Sequence, residues 1–194
     1  MSGMHSGLSS LRRFASAALA LTWLTAAAAA DTFTLQSPTL AANGMLSTDQ
    51  VYSGFGCTGK NISPALSWSG APSATRSFAV TVYDPDAPTG SGWWHWVVYN
   101  IPASVSELPQ GAGDASGAQL PKGAVQGKTD FPGSTGFGGA CPPPGNKPHR
   151  YIFTVFALKT DKIEVPADAT AALVGYNLNA NSLGKASFTA KYGR

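Results

Sequence analysis

Two aspartates, two histidines and a tyrosine carry the chemistry that this 194-residue chain can offer. Asp84 and Asp86 stand in Tyr83-Asp84-Pro85-Asp86-Ala87-Pro88, and His95 follows in Trp93-Trp94-His95-Trp96. His149 and Tyr151 come directly after the proline-rich Cys141-Pro142-Pro143-Pro144-Gly145 segment. Imidazoles and a phenol hydroxyl can donate hydrogen bonds to an oxyanion, and carboxylates beside them can take an ammonium. Charge-assisted bonds of this kind are the strong ones. Flanked by tryptophans, the set reads as a small polar-ligand site lined by aromatics. If both imidazoles donate, affinity for an anion should fall as pH rises through about 6.5. Plainer roles stay open, with the aspartates capping turn N–H groups and the histidines hydrogen-bonded inside the core.

The elements that must position these groups are mostly strands. Prolines fix φ and restrict the residue before them, so Asp84–Pro88 is a rigid corner in which Asp86 and Pro88 are structural. Arg76–Tyr83 is β-branched and aromatic, too short for a helix between its breakers, and delivers Asp84 to the corner. Over Trp94–Ile101 a period of two places His95, Val97 and Tyr99 on one face, and Trp94, Trp96, Val98 and Asn100 on the other. In His149–Leu158 the same period aligns His149, Tyr151, Phe153 and Val155. Residues 103–148 are rich in Gly, Pro, Ser and Ala, a stretch long enough to be functional or disordered. Ala167–Leu183 has helical spacing, with Asp168 as N-cap and Gly184 as terminator, and Ala186–Tyr192 is a last strand. Many short strands and one helix make a mainly-β sandwich.

The first thirty residues read differently. Arg12 and Arg13 precede a short apolar run and the small-residue site Ala28-Ala29-Ala30, the pattern of a secretory signal peptide. Residues 1–30 are therefore expected to be cleaved, leaving a single domain over 31–194 in the periplasm or outside the cell. No other stretch is long and apolar enough to span a bilayer. The chain carries 13 Lys and Arg against 10 Asp and Glu, and loss of Arg12 and Arg13 leaves it about neutral. No basic cluster tracks a phosphate backbone, so a nucleic-acid partner is not expected. Cys57 and Cys141 would enter an oxidising compartment together with no third thiol competing, which predicts a disulfide between them. Two buried free thiols are the alternative.

The chain resembles the phosphatidylethanolamine-binding protein family, and more closely its bacterial Raf-kinase-inhibitor-like branch, the YbhB/YbcL type. Asp84-Pro85-Asp86-Ala87-Pro88, His95-Trp96-Val97-Val98 and Pro142-Pro143-x-Gly145-x-x-x-His149-Arg150-Tyr151 carry the likeness. Cys57-x-Gly59-x-Asn61-x-Ser63-Pro64 and Gly90-Ser91-Gly92-Trp93-Trp94-His95-Trp96 match that branch as well. The resemblance spans residues 31–194 and implies a β-sandwich of antiparallel sheets with a short C-terminal helix and an anion pocket near one end. It places Asp84, His95, His149 and Tyr151 in that pocket, Pro142 and Pro143 on its rim, Trp94 beside it, and Asp86 as a brace.

The function expected first is an exported, non-enzymatic binder of anionic or phosphorylated small ligands, phospholipid headgroups among them. A second is an inhibitor or modulator of a protein partner, such as a protease or kinase, acting through the same end of the sandwich. The third is an enzyme, since two histidines and a carboxylate can form a metal site or an acid–base set. Against it, the sequence has no Gly-x-Ser-x-Gly, His-Glu-x-x-His or Cys-x-x-Cys, and Ser134 lacks the first glycine of a nucleophile elbow. Neither a cofactor nor a metal is expected.

Overall fold

Glycines and prolines cut the chain into extended pieces, and strands form where β-branched and aromatic residues lie between them. The computed structural model describes residues 1, 3, 32–133 and 135–194, so the expected signal peptide and Ser134 lie outside the described residues, apart from Met1 and Gly3. The strands are β1 (Thr34–Gln36), β2 (Ser53–Gly54), β3 (Cys57–Thr58), β4 (Leu66–Ser69), β5 (Ser77–Asp84), β6 (Trp93–Pro102), β7 (Glu107–Leu108), β8 (Val125–Gln126), β9 (His149–Leu158) and β10 (Ser182–Tyr192). One α-helix, α1 (Ala171–Asn181), precedes β10. The strands form a five-stranded sheet in the order β10-β9-β5-β6-β8, a three-stranded sheet β1-β4-β7, and the hairpin β2-β3, all paired antiparallel. The fold is mainly β.

Both faces of the large sheet are buried, which is why β5 reads as a continuous apolar run rather than an alternating one. On one face Val80, Val82, Trp96, Val98, Phe153 and Val155 pack against Leu35, Leu66, Trp68 and Leu108 of the small sheet. On the other, Ala79, Val97, Tyr99, Phe156 and Leu158 pack against Val174 and Leu178 of α1. Each such side chain contributes roughly 1.5–3 kcal/mol relative to exposure, so these two interfaces rather than turn propensities hold the layers together.

β9 has the bounds that its sequence run suggests, whereas three features differ. The helix begins later and is capped by Thr170, whose hydroxyl accepts from the Leu173 N–H at 3.2 Å, not by Asp168. Pro166–Ala169 closes a separate turn through Ala169 N–H to the Pro166 carbonyl, 2.9 Å, and so leaves Asp168 outside the helix. Gly184 does not end the helix; it lies in β10 at a register shift, because Ser182 already turns extended. The third difference is in β6, where the alternation breaks. Val82 pairs with Trp96 and Tyr83 with Trp94, so His95 is an extra residue opposite no partner. This β-bulge shifts the phase of everything before it. Trp94 therefore joins Val97 and Tyr99 on the helix side, packing against Tyr83 and approaching Gly175, while His95 leaves that face.

Candidate functional site

β5 delivers Asp84 to the corner and β9 delivers His149 beside it. Asp84 Oδ2 lies 2.7 Å from His149 Nδ1, and Asp84 Oδ1 accepts the Asp86 N–H at 2.8 Å. Both residues are about 3% exposed, so the first acid and the second histidine form a buried pair. Asp86 points the other way and takes Arg150 in a fork, from Nε at 2.9 Å and Nη2 at 2.7 Å, plus the Arg150 N–H at 2.8 Å. The hydrogen bond from the Arg150 side chain holds the Asp86 carboxyl down at about 2. Asp86 thus fastens the corner to β9 from outside, and Asp84 faces inward.

His95 is held from the glycine-rich segment across the site. Its Nδ1 lies 2.7 Å from the Gly138 carbonyl, and the Gly138 N–H returns a bond to the His95 carbonyl at 2.8 Å. Asn61 fixes that segment, donating from Nδ2 to the Phe137 carbonyl at 3.0 Å and accepting the Gly139 N–H at 2.6 Å. Gly138 cannot be replaced freely, since a Cβ there would stand 2.2 Å from the Phe131 ring. Burial of the imidazole lowers its pKa to about 4, against the pull of the Gly138 carbonyl and Asp84. The ring sits edge-on to Tyr151 at 5.0 Å and to Phe131 at 5.3 Å between centroids. Tyr151 is about 1% exposed, and its hydroxyl finds no hydrogen-bond partner among the described residues. Burial raises that phenol above its ordinary range.

These groups enclose one cavity of about 230 Å³, lined by Asp84, His95, His149 and Tyr151 with a wall of Trp93, Phe131, Phe55, Pro142 and Pro143. The match to the family model described as "Phosphatidylethanolamine-binding protein" covers residues 36–193. The chain belongs to the phosphatidylethanolamine-binding protein family. It is 58% identical over 172 residues to the UPF0098 protein YbcL of Escherichia coli, covering 89% of this chain and 93% of that one. With the E. coli UPF0098 protein YbhB it shares 54% identity over 142 residues, 73% of this chain and 88% of the relative. The crystal structure of E. coli YbcL superposes with a TM-score of 0.81 at 59% identity, covering 84% of this chain and 98% of that one. A putative family homologue from Chlamydia trachomatis gives 0.68 at 28% identity, with 84% and 97% covered.

Within this family member the structure brings Asp84, His95, Pro142, Pro143, His149 and Tyr151 to one cavity, and Pro88 also lines it. Trp94 does not line it. The bulge at His95 turns Trp94 to the helix side, and Trp93 takes the place beside the cavity. The imidazole of His95 also departs from the donor role expected of it. A carbonyl oxygen has no proton to give, so Nδ1 carries the hydrogen and Nε2 is left with a lone pair. A disulfide joins Cys57 to Cys141, with Cα atoms 6.0 Å apart, and ties β3 to the rim. Arg194 reinforces this junction, donating from Nε to the Pro142 carbonyl at 2.7 Å and from Nη1 to the Gly56 carbonyl at 3.0 Å.

Sequence reasoning missed Phe55, Phe131 and Arg194, and it quoted Asn61 within a family motif without giving it a role. Phe55 and Phe131 each stand among glycines or prolines in loops, and an aromatic with no strand to pack in is the signal that points to such a wall. Among the described residues, no group of three or more His, Cys, Asp or Glu is placed to hold a metal ion, and no helix is long and apolar enough to cross a membrane.

Proposed function

We propose that this chain is an exported, non-enzymatic binding protein for a small phosphorylated or other oxyanionic ligand, held in the cavity between β5, β6 and β9. The observation that carries the reading is the Tyr151 hydroxyl, a buried donor in the cavity wall with no acceptor among the described residues. Leaving such a group unsatisfied costs about 1–3 kcal/mol, which a ligand oxygen would recover. Binding rather than catalysis is favoured because the polar groups are held to one another: Asp84 to His149, His149 Nε2 to the Asn146 amide at 3.3 Å, His95 to Gly138. The family's description supports a headgroup-like ligand, a phosphate with an amine, and the Asp84 carboxylate would suit the ammonium. Export is supported by the N-terminal pattern and by the Cys57–Cys141 disulfide, a bond that persists in oxidising compartments. The same end of the molecule also offers Phe55, 58% exposed beside the mouth, to a protein partner such as a protease or kinase.

Titration calorimetry with inorganic phosphate and phosphoethanolamine tests the reading through Tyr151→Phe. Affinity should fall about tenfold, worth about 1.4 kcal/mol, while the melting temperature holds or rises, because the hydroxyl has no protein bond to lose. Absence of binding by the wild type, or equal affinity in the variant, would overturn it.

A further inference from the structure

Resting on the reading of the cavity as a phosphate-type site, we infer that it takes a ligand whose phosphorus still bears an O–H, a phosphomonoester or hydrogen phosphate, and rejects the diester of an intact phospholipid. The inference comes from counting donors and acceptors. His95 Nδ1–H is spent on the Gly138 carbonyl, so Nε2 keeps its lone pair and His95 meets the cavity as an acceptor. Asp84 contributes a carboxylate, already accepting from Asp86 N–H and His149 Nδ1 and able to accept more. His149 Nε2 is occupied by the Asn146 amide. Tyr151 supplies one O–H, and Trp93, whose Nε1–H likewise has no partner among the described residues, supplies one N–H. A site with two donors, two acceptors and a negative charge does not match a bare dianion, in which every oxygen accepts and some would face the Nε2 lone pair and the carboxylate.

A monoester monoanion does match. Its other oxygens accept from Tyr151 and Trp93, and the P–OH donates to His95 Nε2. A diester also carries a single negative charge but has no P–OH, so it offers the Nε2 lone pair no donor. The loss is of the kind that lets a polar site refuse an analogue lacking its hydroxyl. The charged and titratable groups that face His95 are Asp84 from β5, His149 and Tyr151 from β9, and Asp130 from the segment after β8, whose carboxylate accepts the Trp94 N–H at 2.7 Å. The buried, aromatic surroundings keep the imidazole neutral well below neutral pH.

The proton needed for binding therefore resides on the ligand. A phosphomonoester loses its second proton at about pH 6, so apparent affinity should be flat below that pH and fall about tenfold per unit above it. The test is titration calorimetry between pH 5 and 8 with methyl phosphate, methylphosphonate, dimethyl phosphate and glycerophosphoethanolamine. Methylphosphonate ionises at higher pH, so its fall should be displaced upward by the same interval. Dimethyl phosphate and glycerophosphoethanolamine should bind about 30-fold more weakly than methyl phosphate at pH 5.5, and His95→Phe should shrink that gap to about threefold. A diester within threefold of the monoester, or a fall at one pH for both phosphate and phosphonate, overturns the inference while leaving the phosphate site standing. No binding by any of the four at any pH removes the phosphate site, and this inference with it.

Discussion

The two ends of the β5–β6 ladder carry the same irregularity for different ends. Each has one extra residue on β6, at His95 near the cavity and at Asn100 near the opposite edge. At the far end Phe78 pairs with Ile101 and Val80 with Val98, so Tyr99 and Asn100 together face Ala79. Asn100 takes φ 59°, and its Oδ1 accepts the Ile163 N–H at 2.7 Å, anchoring the loop that leads towards α1. At the near end the extra residue is an imidazole, bonded to Gly138 and turned to the cavity. One bulge is spent on tying a loop, the other on aiming a side chain. Together they restore the alternation between them, so Trp96 and Val98 stay in one core and Val97 and Tyr99 in the other.

The comparison breaks hardest at Asp84, which closes the near end of β5. Asp84→Ala removes both acceptors from a buried pair and strands the His149 Nδ1–H and the Asp86 N–H. Breaking a buried pair from one side costs about 3–5 kcal/mol, and ligand binding should be lost with it. Asp84→Asn keeps the shape and part of the bonding and should cost less than half as much. Equal denaturation midpoints for wild type and Asp84→Ala would show that the corner does not depend on the carboxylate.

How much of this was legible in the sequence follows the same division. β9 could be read to the residue, because nothing interrupts the period of two between His149 and Leu158. The corner, the two histidines and Tyr151 were visible as residue types at chain punctuation. The bulge at His95 was not, since no glycine or proline marks it and the surrounding tryptophans satisfy either phase. Reading straight through it put His95 on the face of Val97 and Tyr99 and Trp94 on the other, while the family resemblance put Trp94 beside the cavity, where Trp93 stands. Asp168 was read as the cap of a helix that Thr170 caps, because both residue types can serve and the turn Pro166–Ala169 that separates them has no helical signature of its own. Asn61 and Arg194 act over separations of 76 and 52 residues, beyond any local pattern.

The far end should yield a smaller loss with a different signature. Asn100→Val forces a β-branched residue into a positive φ and leaves the Ile163 N–H without its acceptor, costing about 2–4 kcal/mol. Affinity for phosphate should stay within about twofold, since the cavity lies at the other end of the strand pair. Calorimetry and urea denaturation on one preparation check both halves. A tenfold drop in affinity would mean that the two bulges are coupled along β6 and do not act separately.

The smallest effect at neutral pH is expected at His95, and its pH dependence sharpens the contrast between the ends. His95→Phe keeps a ring against Tyr151 and Phe131 but gives up the bond to the Gly138 carbonyl, so at pH 7 the variant should be less stable by about 1 kcal/mol. Burial depresses the folded pKa of this imidazole to about 4, whereas the unfolded chain titrates near 6.5. Between those values the unfolded state binds more protons, so stability rises with pH. The wild type therefore has its full share above about pH 6.5 and loses it as pH falls through about 4. Phenylalanine cannot titrate, and the variant's curve lacks this fall. The difference between the two proteins should shrink below pH 6.5, vanish near about pH 5.7 and be reversed by about 2 kcal/mol at pH 4. Urea denaturation at pH 7, 5.5 and 4 with the disulfide intact reads it directly. Parallel curves across that range would mean that the imidazole is not held neutral by burial, and the near bulge would then be no more than the structural device found at Asn100.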